Sequence, residues 1–347
     1  MVRFINRKIE LNVLEKDYIK RNNAFVVLYG RRRIGKTRLI QEFLKNKEGI
    51  RFTASDTNNV IQIRELKNHF ATFLNDEYLK DQEILDWRSF FIYIKKTFPK
   101  DKKCYIWIDE FSYLIKNDSS LTSIFQEFID NFLRDSNIFF IVSGSMFGLM
   151  TEKVLSHSSP LYGRRTRDIL LTRLQFKYLK EFVNFSFEDI LKLEFTIGGI
   201  AEYLLISKNY NKYDDFIKNE FLLKEGYFFR EIFFLLSQEF KEIKTYFSII
   251  NAIAYGKTKP SDIANFIGVS SREIYPYLEL LINYGFVKRE TSMLGNKKSG
   301  LYYIDDNFLD FWFNFVNKNR ENIEKNNFKI NKSELNAYFG KRFEIFI

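Results

Sequence analysis

Gly30-Arg31-Arg32-Arg33-Ile34-Gly35-Lys36-Thr37 satisfies the pattern G-x-x-x-x-G-K-[ST] at each fixed position. Residues of these types at this spacing hold phosphate. Gly30 and Gly35 let the backbone wrap an anion, so that successive N–H groups converge on its oxygens. Lys36 brings a positive charge to the β- and γ-phosphates, and Thr37 supplies a hydroxyl for Mg²⁺. A helix beginning near Lys36 would turn its positive dipole end toward the same anion. The segment Gly30–Arg38, including Arg31, Arg32, Arg33 and Ile34, is therefore the candidate nucleotide loop. The ligands it implies are ATP and Mg²⁺.

A second group follows in Cys104-Tyr105-Ile106-Trp107-Ile108-Asp109-Glu110, an apolar run closed by two carboxylates. A carboxylate at the end of a buried strand is expensive unless something compensates it. Here Mg²⁺ would, held by Asp109 together with Thr37. Glu110 can orient or deprotonate an attacking water. Ser143 and Ser145 close the next apolar run. Either can sense a γ-phosphate or position water, and either can equally cap a following helix. Arg164 and Arg165 precede the last short strand. They could stabilise charge on the γ-phosphate, in cis or from a neighbouring subunit, or they could be solvated or touch nucleic acid.

The elements that must position these groups alternate. Ala24–Tyr29 has strand length and precedes the loop, and Thr37–Leu44 has apolar residues at helical spacing after it. Further strands are expected at Ile50–Ala54, Cys104–Asp109, Ile138–Val142 and near Ile169–Leu171, separated by helices at roughly 58–80, 86–98 and 121–134. Almost wholly apolar strands alternating with helices predict a parallel sheet covered on both faces, hence an α/β class. The extra strand between the loop and the carboxylates marks the NTPase branch that carries a catalytic glutamate. A short amphipathic helix over 3–20 would pack near the nucleotide base or simply cap the sheet.

From about 175 to 243 the pattern is helical only. Beyond it, helices at 245–254, from Pro260, and at 271–284 surround the turn Gly268-Val269-Ser270 and lead into two strands flanking a Gly/Lys-rich tip. This is a helix-turn-helix with a two-stranded wing. Its candidate DNA contacts are Ser270, Ser271, Arg272, Lys288, Arg289, Lys297 and Lys298. The expected organisation is an ATPase core over 1–174, a helical lid over 175–243, a winged helix over 244–316 and a loosely ordered, Asn/Lys/Glu-rich tail over 317–347.

Composition sets outer limits. The chain has 347 residues, 46% hydrophobic, and a single cysteine, so no internal disulfide can form. That suits a reducing cytoplasm. No apolar run approaches the roughly 18 residues of a membrane span, and the first residues lack a signal peptide's apolar stretch. A net charge of +10 permits nucleic acid as a partner. An A/T-rich genome, which also accounts for abundant Phe, Tyr, Ile and Asn, would supply much of that lysine.

Taken together, the order GRRRIGKT, CYIWIDEF, IVSGS, PLYGRRT, TIGGIAEYL and a winged helix closing on LYYIDDNFLDFWF resembles the archaeal ATPase family of the signalling STAND class, from about Phe4 to the C-terminus. The resemblance implies a parallel-sheet ATPase core, a helical lid and a winged helix that binds DNA or a protein partner. The first functional reading is a nucleotide-driven switch, in which ATP binding and slow hydrolysis to ADP reposition the lid and the winged helix, with duplex DNA, a protein partner or a second copy of the chain as open partners. Ala201 stands where the family usually has proline, which weakens the expectation of nucleotide sensing by the lid. Gly340-Lys341-Arg342-Phe343-Glu344 looks like the start of the nuclease-like domain found in relatives, and the sequence stops at Ile347 before that domain's acidic and lysine residues. An alternative is a DNA-binding regulator with ATP as a structural ligand, or a winged helix used only for protein contacts.

Overall fold

The protein is described by a computed structural model over residues 4–240, 242–291 and 300–346. It folds as two units, Met1–Thr172 and Arg173–Ile347.

In the first unit five strands pair in parallel: β1 (Ala24–Tyr29), β2 (Gly49–Thr53), β3 (Cys104–Asp109), β4 (Ile138–Gly144) and β5 (Arg167–Leu170). Their order across the sheet is β2-β3-β4-β1-β5. The three inner strands are buried along almost their whole length, as covering on both faces requires. β2 and β5, at the edges, alternate buried or half-buried with exposed positions and carry Arg51, Arg167 and Asp168. Charge on an edge strand discourages further pairing. The register sets Val27 of β1 beside Val142 of β4, and Ile108 of β3 beside the same Val142. The C-terminal ends of β1, β3 and β4 therefore finish side by side. The phosphate loop, Asp109 and Ser143 emerge from those three ends.

Helices cross between the strands at Lys36–Leu44, Asn59–Leu74, Trp87–Thr97 and Leu121–Asn131. The helix read over 58–80 is broken. Asn75 adopts a left-handed conformation, and Asp76 caps a new short helix, Glu77–Asp81, by accepting from the Leu79 N–H. Stacked and edge-on rings, Phe25 on Phe140 and Phe111 on Phe125 among them, fill the space under the sheet.

The second unit holds helices Phe187–Ile197, Ala201–Ser207, Tyr213–Glu220 and Tyr227–Glu239. Three more follow, Ile243–Ala254, Pro260–Ile267 and Ile274–Asn283, with Pro260 at the first turn of its helix and left-handed Gly268 ending it. An antiparallel pair, β6 (Val287–Thr291) and β7 (Gly300–Ile304), comes next. Segments 175–243 and 244–316 were expected to be separate domains, yet they share one core. Trp312 packs against Phe233 and Phe247, and its indole N–H donates to the Phe229 carbonyl.

The loosely ordered tail is corrected by the structure. Lys332–Phe346 is a helix. Its packed face carries Leu335, Tyr338, Phe339 and Arg342 at helical spacing, and the exposed Phe346 meets Phe176 and Phe195 edge-on. Phe339 is buried against Phe195 and Tyr213, and Arg342 pairs with Asp310 at 3.4 Å. The exposed side of this helix mixes charged residues with Phe343 and Ile345, so its apolar residues mark no clear face in the sequence.

Candidate functional site

The loop after β1 has the backbone that its glycines were expected to allow. Gly30 and Gly35 lie at φ 143° and 94°, and Arg33 between them at 69°. A Cβ on Gly30 would collide with the Leu171 carbonyl, so the close approach of the strand exit itself demands glycine there. Gly35 caps the helix Lys36–Leu44. Ile34 is buried, while Arg31, Arg32, Arg33 and Arg38 are half-buried around the loop. The Lys36 ammonium is buried and donates to the carbonyls of Gly30 and Arg31 at 2.9 and 3.0 Å. Arg32 donates to the Tyr113 hydroxyl at 2.8 Å.

Asp109 is the centre of the site and only 3% exposed. Its Oδ2 accepts from the Thr37 hydroxyl at 2.9 Å, with Arg51 Nη2 at 3.6 Å. Its Oδ1 accepts from the Ser143 hydroxyl at 2.7 Å and the Glu110 N–H at 3.1 Å. Glu110 sits in the left-handed region at φ 53° and begins the helix Phe111–Asn117. Its carboxylate accepts from the Ser145 hydroxyl at 2.6 Å and the Ser145 N–H at 3.3 Å. Lys36, Thr37, Asp109, Glu110, Ser143 and Ser145 are thus brought together. Ser143 is engaged by the Asp109 carboxylate and Ser145 by that of Glu110.

Arg164 and Arg165 are not brought to this site within the chain. The Thr166 N–H donates to the Phe25 carbonyl, so both arginines flank the start of β1, whereas the loop follows its end. Arg164 holds Asp130 at 2.7 Å, and Arg165 holds Asp168 at 3.0 Å.

Sequence reasoning missed three contributors. Arg7, 7% exposed and left-handed at φ 64°, donates to the Thr172 carbonyl at 2.6 Å and the Ile34 carbonyl at 3.3 Å, and pairs with Glu10 at 3.3 Å. Burial pulls its guanidinium pKa down, against the pull of Glu10. Trp107 donates its indole N–H to Ser143, and Arg51 lies over the Trp107 ring at 4.5 Å. An arginine in a helix lead-in, or a tryptophan inside a strand, looks like ordinary surface and core in the sequence; no local signal singles them out.

In the second unit, Ser270 and Glu273 cap each other. The Ser270 N–H donates to the Glu273 carboxylate at 3.0 Å, and the Glu273 N–H to the Ser270 hydroxyl at 3.4 Å. Ser271 and Arg272 are exposed in that turn. Lys288 pairs with Glu290 at 2.7 Å, and Arg289 is exposed on the same strand. Lys297 and Lys298 lie outside the described residues.

A five-stranded parallel sheet in this order, with the phosphate loop and Asp109 at its C-terminal edge, defines a P-loop domain of the ATPase type. The chain belongs to the family of ATPase domains found predominantly in Archaea, which it matches over residues 4–197. An uncharacterized protein of Methanocaldococcus jannaschii is 36% identical over 346 residues, covering 98% of this chain and 75% of that protein. An uncharacterized ATP-binding protein of the same organism is 50% identical over 48 residues, 14% of this chain and 81% of that protein. Among solved structures, the Walker-type ATPase of Pyrococcus abyssi aligns with a TM-score of 0.69 at 20% identity, over 89% of this chain and 96% of that one. The ORC2 protein of Aeropyrum pernix aligns with a TM-score of 0.55 at 12% identity, over 91% and 93%. No helix among the described residues is long and apolar enough to cross a membrane.

Proposed function

We propose that this protein is an ATP-driven switch of the STAND type, which binds ATP with Mg²⁺ at Gly30–Arg38, hydrolyses it slowly, and uses the nucleotide state to reposition a winged-helix output module. The observation that carries this reading is the contact between the Thr37 hydroxyl and the buried Asp109 carboxylate at 2.9 Å, directly beside the glycine loop. A hydroxyl and a carboxylate are hard oxygen donors, and Mg²⁺ takes few protein ligands and keeps several waters. The residues present therefore fit the metal. Bound there, Mg²⁺ would supply neutralising charge to the phosphate oxygens. The ORC2 protein, similar in fold, was solved as ADPNP–ADP complexes, which supports a nucleotide for this site as well.

The chain's own residues do the rest. The N–H groups of the loop and of the first turn of Lys36–Leu44 receive the phosphates. Lys36 exchanges its two carbonyl partners for phosphate oxygens, which costs little because a charged donor is satisfied in both states. Glu110 orients the attacking water and draws its proton, once its carboxylate turns from Ser145. An intact Glu110 favours turnover over a purely structural nucleotide. The test is nucleotide binding and turnover in Lys36→Ala and Glu110→Gln. Lys36→Ala is expected to lose binding, and Glu110→Gln to keep binding and lose turnover. Undiminished hydrolysis in Glu110→Gln would remove the water-activating role.

The output module is the helix-turn-helix and β6–β7. As a duplex-DNA binder it would work mainly through phosphates, with Lys288, Arg289, Lys297 and Lys298 as backbone contacts and Ser270, Ser271 and Arg272 at the base edges, Arg272 alone able to make a bidentate base contact. A protein partner is favoured by a different observation. The outward face of Ile274–Asn283 shows Tyr275, Glu279 and Leu280, an apolar and acidic surface. Duplex binding across a salt series separates the two. A DNA module loses about 0.9 log unit of affinity per log unit of salt for each phosphate contact. No duplex binding at low salt, with or without ATP, leaves the protein-contact reading.

A further inference from the structure

We infer that Trp107 is a positioning residue for the Asp109 carboxylate, acting through Ser143, so that Ser143 serves the metal-binding carboxylate instead of reading the terminal phosphate. This rests on the nucleotide reading above and assigns a direction to its innermost hydrogen bonds.

The parallel register of β3 and β4 brings the three side chains together. Ile108 lies opposite Val142, so Asp109 and Ser143 follow as the next residues of neighbouring strands. The Trp107 indole N–H donates to the Ser143 oxygen at 2.8 Å. An indole nitrogen can only donate, and an ionised carboxylate can only accept. Ser143 must therefore accept from Trp107 and spend its one proton on Asp109 Oδ1, at 2.7 Å. All three groups are buried, at 1%, 0% and 3% exposed for Trp107, Ser143 and Asp109, which strengthens each of these bonds. A one-way chain of donors polarises each bond in turn. The hydroxyl proton could reach a phosphate only by abandoning a buried carboxylate.

The remaining contacts fit the same role. Oδ1 is tethered by Ser143 and by the Glu110 N–H, which turns Oδ2 to the Thr37 hydroxyl, the side on which the metal would be held. Arg51 stands opposite Trp107 in the β2–β3 register and covers its ring at 4.5 Å, pinning the indole in place. Outer groups of this kind orient a ligand without touching the metal, and losing one costs roughly 10–100-fold in metal affinity.

The test measures Mn²⁺ affinity, by electron paramagnetic resonance, of the protein loaded with ADP and with a non-hydrolysable ATP analogue, alongside nucleotide binding in EDTA. Ser143→Ala is expected to weaken Mn²⁺ binding about tenfold, equally for both nucleotides, with little change in EDTA. Ser143→Thr should retain most of the affinity. Trp107→Phe should lose about threefold, as expected for one neutral hydrogen bond. The double variant should be no weaker than Ser143→Ala, because Trp107 acts through the hydroxyl. A Ser143→Ala loss confined to the ATP analogue would make Ser143 a phosphate reader and overturn the inference. Additive losses in the double variant would reduce Trp107 to packing and overturn it too. Should Trp107→Phe fail to fold, the comparison of the two nucleotides in Ser143→Ala still decides. Wild-type protein that binds neither nucleotide, in EDTA or with Mn²⁺, would instead remove the nucleotide reading itself.

Discussion

Replacing Arg7 by alanine removes a side chain that ties the phosphate loop to the segment just past β5. In the structure it joins the Ile34 carbonyl, inside the loop, to the Thr172 carbonyl, which lies 165 positions along the chain from Arg7 and is the last residue of the first unit. A hydrogen bond from a charged donor contributes roughly 1.5–3 kcal/mol. The 2.6 Å bond to Thr172 should deliver most of that, and the 3.3 Å bond to Ile34 and 3.3 Å pair with Glu10 much less. Alanine also relieves the desolvation of a buried guanidinium, which offsets part of the loss. The net expectation is about 2–3 kcal/mol. For a unit of this size that is roughly 4–12 °C in Tm. Thermal denaturation without nucleotide reads the stability term. Nucleotide titration reads the loop, and affinity should fall because the Ile34 carbonyl is no longer held. Arg7→Lys, a single point charge, should recover part of both. A Tm within about 2 °C of wild type together with unchanged nucleotide affinity would refute the reasoning.

Other consequences follow from the same geometry. Ser145→Ala should leave nucleotide affinity unchanged and raise turnover by up to about tenfold, since a charge-assisted bond holding Glu110 is lost; a fall to the level of Glu110→Gln would show that Ser145 holds the carboxylate productively. The Arg167 guanidinium, bonded to Asp17 at 2.6 and 3.0 Å, holds that carboxyl below its usual pKa. A depressed folded pKa means the pair's stabilisation is complete above about pH 4 and is lost as pH falls through the folded value. Asp17→Asn should therefore lower stability near neutral pH by about 1–2 kcal/mol and flatten its acid dependence, measured by denaturant titration between pH 2 and 7; parallel curves would sink the assignment. If Arg164 or Arg165 serves a neighbouring protomer's γ-phosphate, mixing Arg164→Ala or Arg165→Ala with Lys36→Ala protein should restore turnover, whereas mixtures that stay inactive and a wild type monomeric with ATP would end that role.

Much of the site was legible before any fold. The loop Gly30–Thr37 is contiguous, and its backbone demands are met by residue types at fixed spacing, so local sequence suffices. The apolar runs of β1, β3 and β4 announce buried parallel strands, because strands covered on both faces lose alternation. Asp109 at the end of such a run is chemically conspicuous, since a buried carboxylate requires compensation. What tertiary structure alone decided is who meets whom. Ser143, with a phosphate role and a cap role equally open in the sequence, is held by Asp109 because β3 and β4 pair in a register that no local pattern encodes. Arg164 and Arg165, adjacent in the chain, end on Asp130 and Asp168 at the far end of β1 because β5 begins there. The last helix escaped notice because its apolar residues are spread over exposed and packed sides alike, while partners distant in sequence, Phe195 for Phe339 and Asp310 for Arg342, decide whether it packs. Sequence determines the chemistry each residue can perform; only long-range pairing of strands and helices, which depends on register and burial, sets the distances at which it is performed.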